Sequence, residues 1–173
     1  MACGIGPASS NLPDGGACLA TASPGTATLT GPLAFPVVEA YEQTDVYVDG
    51  GGFQSREVNL LDAVQPSDGG FNLPASGNTD HLLGINMSGS SGTGTFTIAA
   101  SAVDGGGATA TLDVIDVFSD GGATILWANS GTVTLDTIDD CSLSGSFNVV
   151  MAFPDAGSPS ALSGTFSAVY QAP

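Results

Sequence analysis

The sequence has no lysine, one arginine (Arg56) and one histidine (His81), set against 17 Asp and Glu in 173 residues, and its formal net charge is -16. That shortage of cations excludes nucleic acid as a partner, because phosphate backbones are held by clustered Lys and Arg whose binding releases counterions. Anionic lipid headgroups are excluded for the same reason, so a membrane can be reached only through a lipid anchor. Aromatic residues are sparse at 7% and charged residues reach 10%, yet hydrophobic residues make up 42% and the mean hydropathy is +0.27. A chain this apolar and this weakly charged is expected to fold, in spite of its 25 Gly and 10 Pro. No apolar run approaches the length of about 18 residues that a membrane-spanning helix needs, and the chain suits one domain. Self-repulsion at this net charge favours monomers, or assembly around bound cations.

The residues that are present alternate. Apolar side chains recur with period two in short runs separated by Gly, Asp, Ser and Pro, which predicts an all-β fold. The pattern is clearest near the C-terminus, where Leu143, Phe147, Val149 and Met151 share one face and Ser144, Ser146 and Asn148 the other. Leu162, Phe166, Ala168 and Tyr170 repeat it, and Pro154-Asp155-Ala156-Gly157 between the two runs reads as a hairpin turn. The two arms are near-copies, Leu-Ser-Gly-Ser-Phe at 143–147 and Leu-Ser-Gly-Thr-Phe at 162–166, each with a Gly at an inward position that marks a bulge or close packing. Further strands are expected at 26–30, 33–40, 44–48, 53–61, 79–87, 93–100, 109–118, 124–128 and 132–136. Together these give an antiparallel β-sandwich or barrel of about ten short strands in a largely meander order. Residues 56–64 also fit one face of a short helix through Leu60, Leu61 and Val64. Residues 1–24 carry little strand pattern and read as a flexible tether ahead of a single β domain at 25–173.

Asp-Gly-Gly occurs at Asp14, Asp49, Asp68, Asp104 and Asp120. Asp followed by Gly supplies the positive φ angles of tight hairpin turns, so the motif marks turns along the chain. The same loops could present carboxylates and Gly-freed carbonyls to calcium, an ion that takes hard oxygen ligands. The residues that suit it best are Glu39, Glu42, Asp45 and Asp49, and separately Asp136, Asp139 and Asp140, although no run matches an EF-hand loop.

Cys3 lies in Met1-Ala2-Cys3-Gly4, ahead of a polar stretch rich in Gly, Pro, Ser and Asn. Bacterial lipoproteins are cleaved before a Cys that follows small residues, so Cys3 is a candidate lipidation site. Cys18 and Cys141 then make an even pair, whose disulfide would close a loop of roughly 120 residues and contribute ~3 to 5 kcal/mol in the chain-entropy model. A Cys3–Cys18 bridge that leaves Cys141 free is the alternative. With Ala2-Cys3-Gly4, a Lys-free acidic composition, Gly-Thr-Val-Thr-Leu at 131–135 and Leu-Ser-Gly-Thr-Phe-Ser-Ala at 162–168, the chain resembles the uncharacterised cell-envelope lipoproteins of myxobacteria and related predatory bacteria. It departs from them in lacking a Cys near its C-terminus. The resemblance implies export, an outer-membrane or cell-surface position, and a binding or structural role.

The inventory for catalysis is small. His81 follows Asp80, but no Gly-x-Ser-x-Gly elbow accompanies it, and one His with three scattered Cys cannot make a zinc set of the usual kind. Asp113 and Asp116 would leave a strand on opposite faces. The chain is therefore expected not to be an enzyme and to need no cofactor, calcium excepted. Arg56, the sole strong cation, suits an ion pair or an acidic ligand. Tyr41 and Tyr47, beside the Glu39 to Asp49 acids, are candidate ligand contacts for a sugar, while Trp127 in the run Ile125-Leu126-Trp127 is expected in the core. Three functions follow: a non-enzymatic, surface-tethered lipoprotein domain with a structural or interaction role, a calcium-dependent carbohydrate-binding adhesin, and a self-assembling subunit of an extracellular pilus-like fibre. Their partners would be a surface glycan, a surface protein or further copies of the chain.

Overall fold

A computed structural model describes residues 25–45, 55–63, 80–88, 92–99, 109–117, 122–139, 141–152 and 159–170. Among them the chain is all-β, with nine strands and no helix. The strands are β1 (Thr26–Thr30), β2 (Glu39–Asp45), β3 (Ser55–Leu61), β4 (Asp80–Ser88), β5 (Gly94–Ile98), β6 (Thr109–Val117), β7 (Ala123–Ile138), β8 (Ser142–Ala152) and β9 (Ser160–Tyr170). They form one mixed sheet. Its pairings run from β9 to β2, β3, β4, β6, β7 and β8, and β8 pairs β9 again, so the circuit returns to its start. β1 pairs the same side of β9 that β2 meets further along, and β5 enters where β6 and β7 diverge.

Alternation decides which side chains go inside. Val58 and Leu60, Leu83, Ile85 and Met87, Leu112 and Val114, and Leu143, Phe147, Val149 and Met151 all join one buried cluster. Their neighbours in sequence face the other way. A smaller cluster of Tyr41, Leu61 and Leu82, with Ile115 packed on it, lies on that outward face of β2, β3, β4 and β6.

The 16-residue β7 shows how one chain segment serves two neighbours. Its first part, 123–127, pairs β6, and 132–135 pairs β5. Between them the register to β8 shifts at Ala128/Ser130, a bulge that leaves Asn129 over. The extra residue changes the phase of the alternation, so Leu126 and Ala128 before it and Val133 and Leu135 after it all face the core. Gly131 follows at φ 127°, where a side chain would be strained and a Cβ would meet the Asn148 carbonyl at 2.3 Å.

The repeated Leu-Ser-Gly-x-Phe arms pair with each other. Gly145 stands opposite Phe166, and Phe147 opposite Gly164. Each ring covers the glycine of the other arm: a Cβ at Gly145 would lie 2.8 Å from Phe166 Cζ, and one at Gly164 2.8 Å from Phe147 Cζ. The inward glycines therefore mark close packing.

Several expected boundaries change. The strand expected at 33–40 begins only at Glu39, since Pro32 and Pro36 supply no N–H to a ladder, and it runs on through part of the strand expected at 44–48. The strands expected at 124–128 and 132–136 are one bent strand. Residues 56–61, which also fitted a helix, are strand. The order is not a pure antiparallel meander, because β2 runs parallel to β9 and β5 to β6.

Candidate functional site

Three polar arrangements are built on this sheet. The first lies inside one end of the circuit. Glu42 and Arg56 occupy inward positions of β2 and β3, and Arg56 Nη1 donates to Glu42 Oε1. Glu42 is nearly inaccessible, with 3% of its side chain exposed against 19% for Arg56. The Arg56 Nε is buried without a hydrogen-bond partner. The chain's one arginine thus neutralises a carboxylate that could not otherwise enter the core.

The second lies about six residues further along β3, roughly 20 Å at the strand rise, at the opposite end. His81 donates its backbone N–H to Asp62 Oδ1 at 2.9 Å, and its Nδ1 lies 2.6 Å from Asp62 Oδ2. Its Nε2 is 3.6 Å from Asp116 Oδ1, and the ring stacks on Phe35 with centroids 5.3 Å apart. The three residues lie side by side on β4, on β6 and at the end of β3. Asp62 fixes the imidazole as an orienting carboxylate would in a catalytic site, but a second carboxylate faces the remaining nitrogen, where a nucleophile would have to stand.

The third runs across the outward face. Tyr41 on β2 stands opposite Asn59 on β3, Asn59 opposite Gly84 on β4, Gly84 opposite Asp113 on β6, and Asp113 opposite Trp127 on β7. Asp113 leans over Gly84, its Oδ1 lying 3.2 Å from where a Cβ would be. Burial, and after it the nearby Glu57 carboxylate, push the Asp113 carboxyl up to about 6. Burial, Glu57 and Glu39 together push the Tyr41 phenol up to about 12. Trp127 corrects an expectation. Its apolar run points to the core, but β7 turns Leu126 and Ala128 inward and leaves Trp127 outward and 52% exposed.

Other sequence candidates are dispersed. Glu39 and Glu42 leave β2 on opposite faces, Glu39 with Tyr41 and Glu42 with the core. The Asp45 side chain, Tyr47 and Asp49 lie outside the described residues, as do Cys3, Cys18 and Asp140. Asp139 caps the β7–β8 turn: it accepts the backbone N–H of Cys141 at 2.9 Å, the Ser142 hydroxyl at 2.9 Å and the Ser142 backbone N–H at 2.7 Å, which together hold its carboxyl below the usual range. Cys141 is disulfide-bonded, with its partner outside the described residues. Among the described residues no group of three or more His, Cys, Asp or Glu is arranged to hold a metal ion. Asp113 and Asp116 face opposite sides, the first outward beside Trp127 and the second inward beside His81. The aspartates that open the Asp-Gly-Gly motifs all lie outside the described residues.

The Asp62–His81–Asp116 row is the arrangement that sequence reading missed. Its signal was present as three polar residues at inward positions just beyond apolar runs, but only the register of three strands aligns them. Comparisons of the chain with family models, with curated proteins and with solved structures give no match.

Proposed function

We propose that the chain is the folded part of an exported, surface-tethered lipoprotein, a non-enzymatic β domain with a structural or interaction role. The disulfide at Cys141 carries this reading, because such bonds persist in oxidising compartments outside the cytosol. Cys18 is the partner that fits best, which leaves Cys3 for lipid at the end of the tether. The engagement of Arg56 by Glu42 and of His81 by two carboxylates supports a structural use of the groups otherwise suited to catalysis. The circuit of pairings supports a barrel rather than two packed sheets. The deciding experiment is the intact mass of the protein from its native cells, with and without reduction, together with its fractionation. A membrane-bound product beginning at Cys3 with an acyl-sized excess is expected. An unmodified product in the medium would remove the tether.

A second reading, a calcium-dependent carbohydrate-binding adhesin, gains support in its carbohydrate half from the exposed Trp127. A thermal melt that is the same in calcium and in chelator would remove its calcium half.

A further inference from the structure

Trp127 is the largest side chain a protein can carry, and here it stands half exposed on a paired strand whose other face already supplies Leu126 and Ala128 to the core. A single exposed apolar residue needs no explanation. Its surroundings do. Directly opposite, at a cross-strand Cβ separation of about 4.5 to 5.5 Å, is Asp113, a carboxyl that the fold holds down against the sheet. Gly84 makes this possible: a strand glycine with its Cβ position 3.2 Å from Asp113 Oδ1 leaves the carboxyl room to lie over β4. One step along the same face, Asn86 stands opposite Thr111, both partly accessible. The result is a flat ledge with an indole at one side and a carboxyl, an amide and a hydroxyl beside it.

From this we propose that Trp127, Asp113, Thr111 and Asn86 form a subsite for one ring of a neutral carbohydrate, with the indole under the C–H face of the sugar and the carboxyl, amide and hydroxyl taking its hydroxyl groups. The site rests on the interaction role proposed above and names its ligand. Aromatic faces flanked by hydrogen-bonding groups match sugars, which are apolar on one face and polyhydroxylated at the rim. The net charge of -16 disfavours acidic glycans, and the chain's one arginine is already paired inside the sheet. A protein partner would call for a broader apolar core, whereas beside this ledge Leu61 and Leu82 are already buried and the exposed apolar neighbour of the indole is Ile125. Because burial pushes the Asp113 carboxyl up to about 6, in mildly acidic solution it can donate as well as accept, as a hydroxyl-rich ligand requires.

The chain supplies its own reporter, since Trp127 is its only tryptophan. The full chain is titrated with cellohexaose, chitohexaose and mannohexaose, with polygalacturonate as the anionic control, while emission and heat are followed. At least one neutral sugar is expected to shift the emission saturably, with a Kd between about 10 μM and 1 mM. Trp127→Ala is expected to abolish the binding heat and Asp113→Ala to weaken it about tenfold or more, with far-UV circular dichroism confirming that both variants fold. Absence of emission change and heat for all three neutral sugars at about millimolar concentration overturns the proposal, and so does preference for polygalacturonate. Binding that survives in Trp127→Ala overturns this site but leaves the interaction role standing. An emission shift that depends on protein concentration alone assigns the ledge to a second copy of the chain and likewise overturns the sugar.

Discussion

Replacing Arg56 by Met isolates what the buried ion pair contributes. The substitution keeps most of the aliphatic volume and leaves Glu42 with 3% of its side chain exposed and no guanidinium. Removing one partner of such a pair costs about 3 to 5 kcal/mol, mainly because the remaining buried charge loses its counter-ion. With a urea m-value of about 2 kcal/mol/M, the unfolding midpoint falls by about 1.5 to 2.5 M. Glu42→Gln should cost less, about 1 to 3 kcal/mol, because the Arg56 side chain is 19% exposed and can turn its charge toward water. The double variant Glu42→Leu/Arg56→Met removes both charges and should recover most of the loss, since apolar replacement of a buried pair is often neutral or stabilising. Urea unfolding followed by far-UV circular dichroism reads all four proteins. A midpoint change below about 0.3 M for Arg56→Met, or a double variant worse than either single one, would refute the reasoning. The first result would return Arg56 to the surface as a ligand contact.

Asp113 predicts a pH dependence of definite sign. Its folded carboxyl titrates at about 6, above the ordinary value of about 3.9, so its contribution to stability is fully present below pH ~4 and is lost as pH rises through about 6. Asp113→Asn should remove that loss, worth up to about 2 kcal/mol after screening, and urea midpoints between pH 4 and 8 should then be flatter than those of the native chain. Gly145→Ala should destabilise more than Gly164→Ala, within the usual range of about 1 to 3 kcal/mol for overpacking. The Gly145 Cβ would meet the Thr134 carbonyl at 2.2 Å, while the Gly164 Cβ would meet the Thr28 carbonyl at 2.7 Å and the Phe147 ring at 2.8 and 2.9 Å, so less of its crowding is immovable backbone. Calorimetric Tm values should accordingly show Phe147→Leu rescuing Gly164→Ala better than Phe166→Leu rescues Gly145→Ala. Asp62→Asn should cost about 1 to 2 kcal/mol in urea titrations and Asp116→Asn under about 0.5, because Asp62 receives two close His81 contacts and Asp116 stands at 3.6 Å.

How far each feature can be read depends on whether it is local. The inward residues of β8 and β9 follow from alternation within single runs, and the glycines at 145 and 164 mark close packing even without the Phe rings that cover them. Trp127 misleads because Ile125-Leu126-Trp127 is uniformly apolar and hides a period of two, so that only pairing with β6 and β8 shows which residue points inward. The continuity of β7 is hidden at Asn129, a bulge residue that reads as a turn when followed by Ser and Gly. The Asp62–His81–Asp116 row and the outward ledge need residues from three or more strands, and sequence spacing carries no register between strands so far apart.

The circuit of strand pairings has a short seam. Among the described residues β2 meets β9 through two residue pairs, Tyr41 with Val169 and Glu42 with Tyr170, joining positions more than a hundred residues apart. Contacts this distant carry a loop-closure cost before they are rewarded, so the circuit should close late in folding and the chain should fold slowly for its size. The seam should also be the line along which the folded molecule first comes apart. Amide hydrogens of β2 should therefore exchange earlier than those of β8, which is paired along its length on both sides. Glu42 stands on that line, and Arg56 ties it back to β3, on the side of β2 away from the seam, so that β2 and β3 should stay together as one unit when the β9 contacts part.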